Sequence, residues 1–273
     1  MSNDYSRYHP AAAIPAPLIR LAPSPAVDDS CGPATMLFID LGARDGRPRR
    51  WVTDPTPRLA VDGEGIPVGD GIAIAAYASD AARRATFYET RSGGTSSLYL
   101  PDHERLRQFP ATADRYDVIK EHSVTTTALD DIVAPHASPP YAIKLDVHGS
   151  ELASLQGGPR TLQDTVLVDI EYWFLPMYHG TPTAGLVHEF LAGAGFVLVD
   201  LTRYWWVRRD GVKVLVFGEA QYIHQDRPLP DVWAQRVPAA GQTATGSRFV
   251  SRVCRWVDSR FGSDFAYLRD RER

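Results

Sequence analysis

Apolar residues along this chain come in short blocks, and the character of the blocks changes with position. Residues 1–34 show neither alternation nor a 3.6-residue repeat. They are crowded with Ala11, Ala12, Ala13, Pro15, Pro17, Pro23 and Pro25, which predicts an extended lead-in. From residue 35 the pattern changes, because Met36, Leu37, Phe38 and Ile39 are continuously apolar, stop at Asp40 and run into Gly42 and Gly46. This predicts a buried strand that feeds a tight turn. Residues 47–71 combine Pro48, Pro55, Pro57 and Pro67 with Gly63, Gly65 and Gly69, so no ordinary helix fits there. Three strands are predicted next, over residues 72–77, 85–90 and 124–129, with a Gly/Ser turn over residues 92–97.

The second half is more regular. Residues 141–145 form a strand candidate ending at Asp146, and Leu152 and Leu155 share one face of a helix-compatible segment after Gly149. A strand over residues 166–173 precedes the best helix, residues 182–194, whose Leu186, Val187, Phe190, Leu191 and Ala194 make one apolar stripe. Thr181 is placed to cap it, Pro182 suits its first turn and Gly195 its end. Two strands over residues 196–201 and 213–217 close a hairpin around Asp210 and Gly211. Alternating strands and helices followed by a strand pair predict an α/β domain, its sheet mostly parallel with an antiparallel edge hairpin. A C-terminal stripe of Phe249, Val250, Val253, Cys254 and Val257, flanked by Arg248, Arg252, Arg255 and Arg260, predicts a helical extension over residues 231–273; docking on the domain is the usual outcome for such a stripe, a membrane surface or a partner the alternative.

Composition narrows the class without naming a chemistry. With 44% hydrophobic and 23% charged residues, the chain is long enough to bury a core without disulfides or structural metal. Cys31 and Cys254 have no CxxC spacing, so a zinc ribbon or disulfide framework is not expected. A net charge of -4 gives no reason to expect nucleic acid as a partner. The mixture of Arg203, Tyr204, Trp205, Trp206, Arg208 and Arg209 is read as cross-strand aromatic packing on the hairpin. No apolar run reaches membrane-helix length and residues 1–10 lack a signal-peptide pattern, so a cytoplasmic location without membrane insertion is expected.

The chemistry is carried by two constellations. The first is Phe38-Ile39-Asp40-Leu41-Gly42-Ala43-Arg44-Asp45-Gly46, a strand ending at a carboxylate and turning through glycines, where a ligand can lie against backbone. The dinucleotide fingerprint GxGxxG is absent, which disfavours a nicotinamide oxidoreductase. The second is an ordered set of blocks: Thr86-Phe87-Tyr88, Thr95-Ser96-Ser97-Leu98, Leu129-Asp130-Asp131, then Ile143 through Leu152, then Ile170 through Tyr178. Together these blocks resemble the FkbM family of S-adenosylmethionine (SAM)-dependent methyltransferases, from residue 36 to about residue 224. In that family the central block reads I-K-[IL]-D-[VT]-[EQ]-G-x-E. Eight of its nine positions fit here, His148 standing where Glu or Gln is usual.

The resemblance implies a Rossmann-like methyltransferase domain over residues 35–230, with SAM as cofactor and a hydroxyl on a small-molecule acceptor, a sugar or natural product, as substrate. It places Asp40, Gly42, Ala43 and Gly46 along SAM and Asp146 facing the transferring methyl. Asp54, as the acid ending the second strand, would hold the ribose; but it lies so soon after Gly46 that either the strand comes later, with Asp62 or Glu64 in that role, or the first helix is lost. Asp146 is the first candidate for the base and His148 the second, against the plainer readings of helix cap and loop residue. Glu151 and Glu171 extend the acidic group, while Ser96, Ser97, Tyr178 and His179 are candidate acceptor contacts. No ligand spacing compels a metal, and none is expected. A missing first helix would also suit a noncatalytic domain that binds a metabolite or partner protein. The sequence leaves a homo-oligomer open.

Overall fold

In the computed structural model, residues 37–44, 48, 51, 56–65, 67–68, 71–136, 139–230 and 233 are described. The lead-in, Gly46, Asp54 and the C-terminal basic stripe lie outside them.

The strand predicted at residue 36 is β1 (Leu37–Leu41), and it is buried along its whole length. Its neighbours are β2 (Arg58–Asp62) on one side and β7 (Tyr141–Leu145) on the other, both parallel to it. Adding β3 (Gly71–Ala75), β8 (Thr165–Trp173) and the hairpin β9 (Phe196–Val207) and β10 (Lys213–His224) gives a seven-stranded sheet of order β3-β2-β1-β7-β8-β10-β9. Only β10 is antiparallel to its two neighbours. The sheet is therefore the mostly parallel one with an antiparallel edge hairpin. A second sheet, β4 (Tyr77–Ser79), β6 (Val118–Ala128) and β5 (Arg84–Thr90), stands at its C-terminal edge.

Strand alternation sorts the side chains onto two faces. Leu37, Ile39, Leu41, Leu59, Val61, Ile143, Leu145, Val168 and Ile170 join the main core. Helices α2 (Leu129–Val133), α3 (Glu151–Gln156), α4 (Pro159–Gln163) and α5 (Ala184–Gly193) close that face through Leu129, Leu155, Leu162 and Leu191. On the other face Phe38, Ala142 and Leu167 are capped by Trp51 and Trp233. Trp51 stacks on Phe38 with ring centroids 4.2 Å apart, and its indole N–H donates to Asp169 Oδ2 at 3.1 Å. The links from β1 to β2 and from β2 to β3 contain no α-helix among their described residues. The latter spans only residues 63–70, below the dozen usual for a parallel crossover.

Several local expectations need correction. The single strand expected over residues 72–77 is two strands in different sheets, turned at Ala76, whose N–H donates to the Asp62 carbonyl at 3.0 Å. Residue 129 does not end a strand; it begins α2, because Asp130 is buried and ties α2 to α4. Asp130 accepts from the N–H and hydroxyl of Thr161, each at 2.8 Å. Helix α5 is capped at Thr183, not Thr181, and Thr181 instead donates its hydroxyl to the Tyr178 carbonyl. Gly195, at φ +87°, ends it as expected. The hairpin is longer than expected and packs by aromatics: Tyr204 stacks on Phe217 at 4.4 Å, and Trp206 meets Trp173, Phe109 and Tyr116.

Candidate active site

The carboxyl ends of β1, β2 and β7 open into one cavity of about 360 Å³, covered by the small sheet. It lies beside the point where the sheet's chain order reverses, since β1 has β2 on one side and the later β7 on the other. Such switch points are where open α/β sheets bind ligands, and the volume falls in the ordinary range for small-molecule sites. Its walls include Gly42 and Arg44 after β1, Asp62, Gly63 and Glu64 after β2, and Asp146, Val147 and His148 after β7. Tyr77, Phe87, His122 and Glu89 come from the small sheet, and Gly93, Gly94 and Ser96 from the turn after β5.

Gly42 is required twice over. Its φ is +81°, and a Cβ there would overlap the Asp146 carbonyl oxygen. The N–H groups of Gly42 and Ala43 both bond the Val61 carbonyl, at 2.9 and 3.3 Å, which pins the turn against β2. We expect Gly42→Ala to cost at least ~2 kcal/mol in urea denaturation, since left-handed strain and a backbone clash add. An unchanged midpoint would show that the turn relaxes freely.

The loop after β7 is held by Glu151, whose two carboxylate oxygens accept from the N–H groups of Val147 (3.0 Å) and Gly149 (2.8 Å). This fastening supports His148 in a left-handed conformation, φ 49°, rare outside glycine. Ser97 closes the other side, its hydroxyl donating to the His148 carbonyl at 2.6 Å. His148 thereby comes over the end of β8. Its Nε2 lies 3.7 Å from Asp146 Oδ1 and its Nδ1 3.8 Å from Glu171 Oε1. Lys144 completes the cluster, with Nζ 3.1 Å from Asp146 Oδ2 and 3.7 Å from Asp40 Oδ1. Asp40 is fully buried and paired to Arg58, whose Nε and Nη2 both reach Oδ2, at 3.0 and 2.6 Å.

The carboxyl groups here titrate differently. Burial penalises the Asp146 carboxylate, but Lys144 and His148 outweigh it and hold the group below the usual range. Burial, then the charges of Asp146 and Glu151, raises Glu171 well above that range. His148 is lowered by burial, against the pull of Asp146, so its imidazole is neutral at neutral pH. Environments that push neighbouring groups apart in this way separate proton acceptors from proton holders. Burial also raises Glu151, to about 7, against the two N–H bonds it accepts. A carboxyl raised on folding stabilises fully below its unfolded value near 4.5 and loses that contribution as pH climbs through 7. Relative to a Glu151→Gln variant, the native chain should lose about 3 kcal/mol between pH 4.5 and 7.5. Parallel urea midpoints for the two proteins across that window would contradict it.

The structure thus brings Gly42, Ser96, Asp146 and His148 to the cavity and sets Glu171 beside them. Other candidates are placed elsewhere. Asp40 and Ala43 are buried beneath the turn and do not line the cavity. The second strand described is β2, which Asp62 ends and from which Asp62 lines the cavity, while Asp54 lies outside the described residues. Glu151 and Ser97 are buried and spend their oxygens on backbone, so they build the loop and do not face an acceptor. Tyr178 is buried against Trp173 and Tyr116 with its hydroxyl on the Thr95 carbonyl at 2.8 Å, while His179 is exposed and off the cavity wall. Asp146 does not cap α3, whose N-cap is Ser150. Sequence reasoning passed over Lys144 and Arg58, although a cation within an otherwise apolar buried strand is itself a signal that a carboxylate faces it. Phe87 stood in the Thr86-Phe87-Tyr88 block, but nothing local marked it, Glu89 or His122 as cavity wall.

Among the described residues, no helix is long and apolar enough to cross a membrane. Searches of curated proteins and of solved structures yield no match. Comparison with known protein families matches residues 42–198, more than half of the chain, to the methyltransferase FkbM domain. That span covers the glycine turn, the block carrying Asp146 to Glu151 and the strand carrying Glu171. The chain belongs to the FkbM methyltransferase family.

Proposed function

We propose that this protein is a SAM-dependent O-methyltransferase acting on a hydroxyl of a sugar or natural-product-sized acceptor. The observation that carries the reading is the cavity at the ends of β1, β2 and β7, floored by a glycine no other residue can replace and ending at Asp146 and His148. The residues present fit the cofactor. Gly42 lets the turn pack against the Asp146 carbonyl, where a Cβ would overlap, while its own backbone lines the cavity, and Asp62 offers a carboxylate suited to ribose hydroxyls. Arg44 places a guanidinium in the wall suited to the methionine carboxylate, packed over Gly93 where a Cβ would overlap it. Tyr77 and Phe87 supply aromatic surface suited to adenine.

Bound SAM supplies an electrophilic methyl group on a sulfonium. The protein's own work is then to align a hydroxyl and receive its proton, and alignment alone is worth ~7–11 kcal/mol. Asp146, ionised and with Oδ1 buried and without a hydrogen-bond partner, is the group suited to accept or orient that proton. Lys144 holds its other oxygen, so the carboxylate cannot rotate away. Neutral His148 stands next in line.

A noncatalytic metabolite-binding domain is the competing reading, favoured by the helix-free described residues between β1 and β2. Calorimetry with SAM and S-adenosylhomocysteine separates the two. Micromolar binding that Asp62→Ala weakens at least tenfold supports the transferase, and no heat at millimolar cofactor removes it.

A further inference from the structure

Asp146, His148 and Glu171 each offer a ligand-type atom, and those atoms lie within 4.8 Å of one another. They come from adjacent strands, β7 and β8, whose register pairs Leu145 with Ile170 and so sets the residues after each side by side. The contacts between them, 3.7 and 3.8 Å, are too long for hydrogen bonds. They are nearer the separation of two ligands on one ion, roughly 3–3.5 Å for metal bonds of about 2.0–2.2 Å. Asp146 Oδ1 and His148 Nδ1 are both sealed from solvent and have no hydrogen-bond partner. Buried polar atoms are rarely left so, and an ion or water is the usual remedy.

The rest of the cluster is arranged around these two atoms. Lys144 takes Asp146 Oδ2, which leaves Oδ1 turned to His148. Glu151 and Ser97 fix the loop that carries His148 in its left-handed conformation. Arg58 already answers Asp40, and Lys144 pairs with Asp146. A mixed oxygen and imidazole set suits Mn²⁺ or Zn²⁺ better than Mg²⁺.

We infer that Asp146, His148 and Glu171 form a divalent-metal site at the inner end of the cavity, able to take an acceptor through two neighbouring oxygens, as in a vicinal diol. The site is tested without the methyltransferase reading, on which only the acceptor class rests; with an ion bound, Asp146 Oδ1 serves as its ligand and orients the acceptor, and is not the free proton acceptor. Asp146 and His148 line the cavity, so an ion they hold is reached from it.

Chelator-stripped full-length protein titrated with Mn²⁺, followed by electron paramagnetic resonance, tests this without cofactor or acceptor. The expected result is one Mn²⁺ per chain at micromolar affinity, with spin-echo modulation from a directly bound imidazole nitrogen. Glu171→Gln and His148→Gln should each weaken binding at least tenfold. Glu171→Gln should leave SAM affinity within about twofold, because Glu171 does not line the cavity; SAM heats therefore report on the methyltransferase reading separately. Absence of Mn²⁺ and Zn²⁺ binding below millimolar, no nitrogen modulation in the native protein, or affinity unchanged in both variants overturns the site.

Discussion

Asp146→Asn should leave SAM affinity within about threefold and lower methyl transfer to a hydroxylated acceptor by roughly a thousandfold. The substitution keeps the shape of the cavity wall and removes the charge. In the native chain that charge persists because Lys144 offsets the cost of burying it. An amide cannot take a proton, and it presents an N–H₂ group either to Lys144 or to the acceptor. The measurement is transfer from radiolabelled SAM across a panel of hydroxylated small molecules, with calorimetry alongside. Undiminished transfer would remove Asp146 from the chemistry. Lost SAM binding with native circular dichroism would make it a cofactor ligand instead.

Arg58→Met should destabilise the fold by ~3–5 kcal/mol, the cost of leaving a buried carboxylate without its partner. Asp40 is fully buried at the centre of the sheet, and burial already raises its carboxyl despite Lys144 and Arg58. Arg58 sits on the neighbouring strand, where Phe38 is its backbone partner, so its guanidinium reaches two residues further along β1 to Asp40. Without it, Asp40 has only Lys144, at 3.7 Å, and Lys144 is drawn from Asp146. The double variant Asp40→Leu with Arg58→Met should recover most of the loss, since an apolar pair needs no compensation. Urea denaturation of the single and double variants decides it. A single variant that loses under 1 kcal/mol would show that Asp40 simply protonates.

The buried strands were readable because continuous apolar runs are local. Leu37 to Ile39 has no polar face to expose and Tyr141 to Leu145 interrupts its apolar run only at Lys144, so they belong inside a sheet covered on both sides. The edge hairpin was readable from its Asp210-Gly211 turn, where Gly211 takes φ +84°. Residues 72–77 misled because Ala76 sits in an apolar run that gives no sign of a corner. Helices α2 and α4, five residues each, are too short to show a periodicity and are held by Asp130 reaching across 31 positions to Thr161.

The candidate site divides along the same line. Gly42, Asp146 and His148 were legible as a strand end followed by glycines, and the family-like spacing of residues 143–151 points to the same place. The roles of Asp40, Glu151, Ser97 and Tyr178 were not. A polar side chain's task depends on what lies opposite it, and those partners are Arg58, the N–H of Val147, the carbonyl of His148 and the carbonyl of Thr95.

By itself, the order of apolar blocks and glycine turns determined an α/β sheet with an antiparallel edge and placed its chemistry at the ends of β1 and β7, since burial and left-handed turns impose requirements residue by residue. Only the tertiary structure decided which carboxylates face the cavity, because strand pairing gives Asp40 to Arg58 and brings Glu171 to His148. Distance in sequence carries no record of those encounters; the register of neighbouring strands creates them.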